Sequence, residues 1–335
     1  MMKLSTMLKV DNTLDTQGQS RIADRILEQW EHDPGSAQFF RSSANFVYVF
    51  HNAGNRYFLR FADSAERTAA AIEAEMALLD FLASQGMTVT TPIASRNGRC
   101  VETVETDLGS FHAVVFAQLQ GSQLEIEELS TAQFEVWGAT LGKLHATLHQ
   151  YHDPRVSARG TWKDHLTLAQ TYVPKDEPRV QVECDYLTAF LAALPVTDTN
   201  YGLIHGDFEL DNLFWQGETL AMLDFDDCSY SWYVADVALA LRDLFETDAD
   251  LSHPSFRAFI RGYSKHASMD EERISQLPTW MRLVNLIQYA KLVRVMDLAK
   301  DLAKDQDYPE WCASLLLRLE NKAQDYKASL LSIPV

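Results

Sequence analysis

Residues 201–227 constrain this chain more than any other stretch. They read as a short apolar run, a polar loop holding His205, Gly206 and Asp207, a second strand after Asn212, a tight turn at Gly217, and a third strand ending on Asp224. The two later strands form a small hairpin, which brings Asp207, Asn212 and Asp224 near one another. An aspartate, an amide five positions on, and a second aspartate at the end of the next strand suit phosphoryl transfer. One carboxylate orients an attacking hydroxyl; the amide oxygen and the other carboxylate hold magnesium against the phosphates. His205, beside an apolar strand, reads as a brace for the loop through its ring nitrogens.

The ordered set His205-Gly206-Asp207, Asn212, and Asp224 followed by an aromatic and an acid resembles the aminoglycoside phosphotransferase and choline kinase-like superfamily, which includes homoserine kinases. The resemblance runs over residues 20–320, strongest in this centre. It implies an α+β, bilobal protein-kinase-like fold with a small antiparallel-sheet lobe and a larger, mainly helical lobe. Residues 1–119 are expected to form the nucleotide-binding lobe with an N-terminal helical extension, and residues 120–335 the catalytic and acceptor-binding lobe. ATP and Mg2+ are the implied cofactors.

A chain of 335 residues with 47% hydrophobic content can build a substantial core. No apolar run is long enough to cross a membrane, and the N-terminus lacks a developed leader pattern, so a cytoplasmic protein is expected. The four cysteines are dispersed without metal-binding spacing and read as free thiols. A formal charge of −18 repels nucleic acid and favours a cationic small substrate.

Along the chain, Ser20 opens a helix over residues 20–31 whose apolar face is Ile22, Ile26, Leu27 and Trp30. The segment before it reads as a loose arm. Three strands follow over 38–41, 46–50 and 56–61, and the loop Ser42-Ser43-Ala44-Asn45 can place amides and hydroxyls over nucleotide phosphates. Arg60 stands where the kinase-like third strand carries a lysine, a position on the phosphate side of the site. Asp63 and Glu66 have capping-box spacing for a helix reaching Ser84. On that helix Glu75 lies roughly 30° from the centre of the apolar stripe and Glu73 roughly 130° away, so Glu75 is the mate for Arg60. Residues 96–99, Arg-Asn-Gly-Arg, read as a hairpin turn. By resemblance, backbone groups from Phe116 to Leu119 meet the adenine edge.

Ser130 and Gln133 box a long helix with Phe134, Trp137, Leu141, Leu144, His145 and Leu148 inside. Asp236 falls in the first turn of a helix from Val234, placed to cap amides and brace the catalytic loop. Further helices are expected over 254–266, 278–300 and 309–328, broken at Met269–Glu272 and Lys304–Asp307.

The expected reaction moves the ATP γ-phosphoryl group to a hydroxyl of a small molecule, such as homoserine, choline or an aminoglycoside. Asp207 acts on the hydroxyl, Asn212 and Asp224 hold magnesium, and Arg60 with Glu75 serves the donor phosphates. Glu209 stands where many of these relatives carry histidine. With Asp211 and Asp227 it can attract an amine, while Trp232, Tyr233 and Trp280 either cover a quaternary cation or pack in the core. Two alternatives remain: an atypical serine/threonine protein kinase, and a noncatalytic nucleotide-binding regulator.

Overall fold

Aromatic and β-branched residues dominate residues 38–63, and in the computed structural model, which describes residues 1–245, 249–298 and 309–331, they form β1 (Gln38–Ser42), β2 (Phe46–Asn52) and β3 (Asn55–Asp63). Ala53 and Gly54, with φ of 51° and 80°, make the left-handed two-residue turn that joins β2 to β3. The antiparallel sheet runs β1-β2-β3-β6-β4, where β4 is Pro92–Ile93 and β6 is Gly109–Ala117, and β5 (Glu102–Thr106) also pairs with β6. The turn at 96–99 closes on itself through Ser95 N to Arg99 O at 2.8 Å, yet it joins no hairpin. Ile93 sits opposite Val115 and Glu102 opposite Ala113, so β4 and β5 lie end to end along one edge of β6. Buried Glu102 fixes this arrangement by accepting from Ser95 Oγ at 2.6 Å and Asn97 Nδ2 at 3.0 Å.

Two helices precede the sheet, α1 (Leu4–Asp11) and α2 (Arg21–Leu27), and a third, α3 (Ala69–Ser84), follows β3. Ser20 caps α2 as its sequence position requires. The expected loose arm is instead α1, whose Leu4, Met7, Leu8 and Val10 are buried in the same core as Phe46, Phe61 and Phe111. Asp63 and Glu66 do not box α3; Thr68 Oγ1 receives Ala71 N there. They hold α1 in place instead. Lys9 Nζ reaches Asp63 at 2.6 Å, and Glu66 Oε1 takes Lys3 N and Thr6 Oγ1 at 3.1 and 3.0 Å. A C-terminal helix, Glu310–Leu331 (α11), adds Cys312 and Leu316 to this core.

Close packing divides the chain into two compact units, the first built from Met1–Ala77, Thr90–Gln118 and Lys291–Gln324. The second comprises Leu78–Val89, Leu119–Ala290 and the chain from Asp325 on.

The second unit is mainly helical: α4 (Thr131–Leu148), α5 (Trp162–Tyr172), α6 (Pro178–Ala193), α7 (Tyr233–Ala240), α8 (Pro254–Tyr263), α9 (Glu271–Ser275) and α10 (Leu277–Val295). Two small ribbons interrupt them, β7 (Tyr201–Ile204) with β10 (Ser229–Trp232) and β8 (Leu213–Gln216) with β9 (Thr219–Met222). Ser130 and Gln133 form the expected capping box of α4. At Met269–Glu272 the chain does break, and Asp270 then caps α9. The second expected break, Lys304–Asp307, lies outside the described residues, and α10 ends at Val295, short of the expected residue 300. Cys184, Cys228 and Cys312 are buried and Cys100 half-buried, all four as free thiols. Among the described residues no helix is long and apolar enough to cross a membrane.

Glycines set the crossing of α4 and α8. A Cβ at Gly138 would lie 1.9 Å from Phe259 O, one at Gly142 2.4 Å from Tyr263 O, and one at Gly262 1.9 Å from Glu135 O. Neither backbone can yield without separating the helices, and α4 and α8 carry His145 and Tyr263. Gly138→Ala is therefore expected to destabilise the protein by about 1–3 kcal/mol, the cost of overpacking, read as a lower midpoint in denaturant unfolding.

Candidate active site

β7 delivers a loop whose backbone is held from outside. His205 N donates to Asp236 Oδ2 at 2.8 Å and Gly206 N to Asp236 Oδ1 at 2.9 Å. Asp236 sits on α7 and is fully buried, and its Oδ2 also receives His145 Nε2 at 2.9 Å. Since that ring nitrogen donates, His145 Nδ1 accepts from the Tyr263 hydroxyl, 2.9 Å away. Burial alone would raise the Asp236 carboxyl. The hydrogen bond from His145, the electrostatic pull of its ring, and the Gly206 amide outweigh it and hold the group below its ordinary value. Asp236 therefore braces the catalytic loop, as its sequence position suggests, and the amides it caps belong to the loop.

His205 works as the expected brace. Asp207 N donates to its Nδ1 at 3.3 Å, which leaves Nε2–H to donate to Leu223 O at 3.2 Å. The ring packs on Phe225 at 4.3 Å and Phe208 at 5.5 Å between centroids. One imidazole thus ties the Asp207 loop to the residue before Asp224. Burial lowers its pKa from the ordinary 6.5 and keeps it neutral near pH 7.

Asn212 closes the constellation. Its Nδ2 donates to Asp207 O at 2.9 Å and to Asp207 Oδ2 at 2.8 Å. Both partners are acceptors, so the amide orientation is fixed and Oδ1 is the atom left for a cation. Leu223 N donates to Asn212 O at 3.0 Å, which binds the end of β9 to the same residue. Asp224 follows in the left-handed region at φ 63°, ψ 62°, a conformation that costs a non-glycine residue about 1–3 kcal/mol and is retained where a side chain must be aimed. Gly206, with φ 81°, has no alternative, because a Cβ there would sit 2.3 Å from Asp227 O.

Two arginines outside the motif complete this region. Arg159, 7% exposed, donates to the carbonyls of Phe225, Asp226 and Cys228 at 2.8, 2.6 and 2.9 Å and wraps the turn after Asp224. Arg242 pairs with buried Glu209 Oε2 at 2.6 Å. Burial and the neighbouring Asp207 carboxylate push Glu209 up to about 8, against the pull of Arg242. Nothing in the local pattern around Arg159 or Arg242 marked either residue; only their burial beside the loop does. Asp211 is exposed and Asp227 half-buried. Trp232 and Trp280 lie 5.7 Å apart and are buried with Tyr233, so these three aromatics pack in the core.

In the first unit, Arg60 and Glu75 form the expected pair, bidentate at 2.9 and 2.6 Å with Glu75 only 1% exposed. The Arg60 guanidinium lies 5.0 Å from the Phe116 ring centroid, which places Phe116 beneath it. Leu119 follows β6, half-buried. Ser42 is turned elsewhere: its hydroxyl donates to Asp11 Oδ2 at 2.8 Å, while Ser43 O receives Met2 N at 2.8 Å. That loop is therefore tied to α1.

Asn212 Oδ1 and the Asp224 carboxylate are hard oxygen donors of the kind magnesium takes. Among the described residues no cluster of three or more His, Cys, Asp or Glu side chains could hold a metal by itself. A two-ligand set of this kind fits an ion that shares its coordination with phosphate and water.

The model of the phosphotransferase enzyme family known as APH matches residues 36–274, which contain Arg60, Glu75, Asp207, Asn212, Asp224 and Asp236. The chain belongs to that family. Its general activity is accordingly ATP-dependent phosphoryl transfer to a hydroxyl of a small molecule. The amicoumacin kinase of Bacillus subtilis (strain 168) is 27% identical over 272 residues, covering 78% of this chain and 81% of its own. The homoserine kinase of Parvibaculum lavamentivorans is 23% identical over 277 residues, covering 78% and 83%. Among solved structures, amicoumacin kinase hAmiN in complex with AMP-PNP, Ca2+ and Ami superposes with a TM-score of 0.76 at 24% identity, covering 94% of this chain and 95% of that one. The bilobal α+β kinase-like fold, with its small sheet lobe and larger helical lobe, is thereby shared.

The neutral His205 gives a signed pH dependence. Its folded pKa lies below the unfolded 6.5, so the unfolded chain takes up the proton first and stability falls as pH drops below about 6.5. Thermal unfolding between about pH 7 and pH 5 is expected to show this acid loss. It should be smaller in His205→Gln, which has no proton to take up there.

Proposed function

We propose that this phosphotransferase acts on the hydroxyl of a small acceptor that also carries an amine, such as homoserine or another amino alcohol. The observation that carries the mechanism is the double hydrogen bond from Asn212 Nδ2 to Asp207, through its carbonyl and its Oδ2. It immobilises one carboxylate oxygen and leaves Oδ1 of Asp207 to orient the acceptor hydroxyl and take its proton late in transfer. Positioning and charge neutralisation dominate this chemistry.

Asn212 Oδ1 and Asp224 would hold Mg2+, which when bound neutralises charge on the transferring phosphates. Arg60, fixed by Glu75, serves the donor phosphates as a forked, permanently charged donor. Phe116 and Leu119 contribute backbone groups toward the adenine. The formal charge of −18 supports a cationic acceptor. The homoserine kinase relative, whose named substrate has both an amine and a hydroxyl, supports the same class.

Labelled ATP with an amino-alcohol panel and product identification tests the reading. Asp207→Asn is expected to lower acceptor phosphorylation by about a hundredfold or more while leaving nucleotide affinity within a few-fold. Unchanged transfer in that variant would remove Asp207 from its role. Transfer by the wild type to a protein hydroxyl alone would replace the small acceptor with a polypeptide.

A further inference from the structure

At the end of β7 remote from Asp207 lies a cavity of about 400 Å³, lined by Pro195, Thr197, Trp232, Tyr233, Ser268 and Arg273 among others. The four residues of β7 separate it from the catalytic loop by about 13 Å, at the usual rise of a strand. Its size falls in the range of small-molecule sites.

Arg273 makes this cavity unusual. It is 8% exposed, and among the described residues its guanidinium makes one hydrogen bond, Nη1 to Gln276 Oε1 at 3.3 Å. Its Nε–H is buried without an acceptor. Every other buried arginine named above rests on a carboxylate or on several carbonyls, whereas no carboxylate among the described residues pairs with Arg273. The one acid that lines the cavity, Asp270, has Oδ1 engaged by the Arg273 backbone amide at 2.7 Å as the cap of α9. A guanidinium withdrawn from water and left short of acceptors is costly, and an anion is the group that relieves it.

The rest of the lining completes a mixed site. The hydroxyl-bearing Thr197, Thr199 and Ser268 line the cavity together with Pro195, Trp232, Tyr233 and Val234. We infer that this cavity is a second ligand site, one that takes a small organic anion, with a carboxylate or phosphate on Arg273 and an apolar body against the lining at Pro195. The forked guanidinium suits either planar or tetrahedral oxyanions. The site is independent of the catalytic reading, since none of its residues belongs to the phosphoryl-transfer set.

Calorimetric titration of the full chain, without nucleotide or metal, tests this with benzoate, inorganic phosphate and neutral benzamide as probes. Saturable binding of at least one anion is expected, with benzamide weaker by about tenfold or more. Arg273→Gln should weaken the anion by a similar factor while leaving phosphoryl transfer to the acceptor unchanged, and Arg273→Lys should retain part of the affinity. A preference for benzoate or for phosphate identifies which oxyanion the site favours. Equal anion affinity in Arg273→Gln, or no saturable anion binding by the wild type, overturns the assignment. Should the glutamine variant fail to fold, the lysine variant decides: anion affinity no better than that of benzamide in a chain that keeps the positive charge also overturns it.

Discussion

One buried carboxylate organises the catalytic unit. Asp236 receives two consecutive backbone amides, those of His205 and Gly206, together with the His145 ring. Consecutive amides aimed at one acid fix the direction in which the chain leaves β7, and that direction decides where Asp207 points. The cost of burying the acid is offset by three donors, and the same donors leave the loop no alternative partner of equal strength. The glycine contacts between α4 and α8 serve the same end, because those helices carry His145 and Tyr263, the next members of the chain of hydrogen bonds.

From that anchor the geometry spreads through single, directional contacts. The neutral His205 ring accepts from Asp207 N and donates to Leu223 O, so its tautomer is dictated by its neighbours. Asn212 then locks Asp207 on one side and the end of β9 on the other. Asp224 pays a conformational penalty to face its partners, and Arg159 gathers the carbonyls of the following turn. Rigidity here serves a reaction in which the protein's main contribution is position and charge.

The first unit follows a similar logic with a different pair. Glu75 is almost fully enclosed and Arg60 meets it with both ends of its fork, while Phe116 lies beneath the guanidinium. Helical phase alone separated Glu75 from Glu73, because an inward carboxylate needs a buried cation and an outward one does not. The same reasoning failed at Asp63 and Glu66. Their spacing matches a capping box, but Lys9, Lys3 and Thr6 on and beside α1 compete for the same oxygens and win. The expected loose arm became a packed helix for the same reason.

The sequence by itself determined that the Asp207 loop and Asn212 come together, the caps at Ser20 and Ser130, and the pairing of Arg60 with Glu75. Each of these is written in periodicity or in spacings of a few residues, where local geometry leaves little choice. Tertiary structure alone decided that β4 and β5 share an edge of β6, that Arg159 clasps the turn after Asp224, that Arg242 meets Glu209, and that Arg273 lines a cavity with no carboxylate paired to it among the described residues. Satisfying a buried polar group is a search through space for a partner, and residues 60 or more positions apart, such as Arg159 and Phe225, become neighbours only once the core has closed.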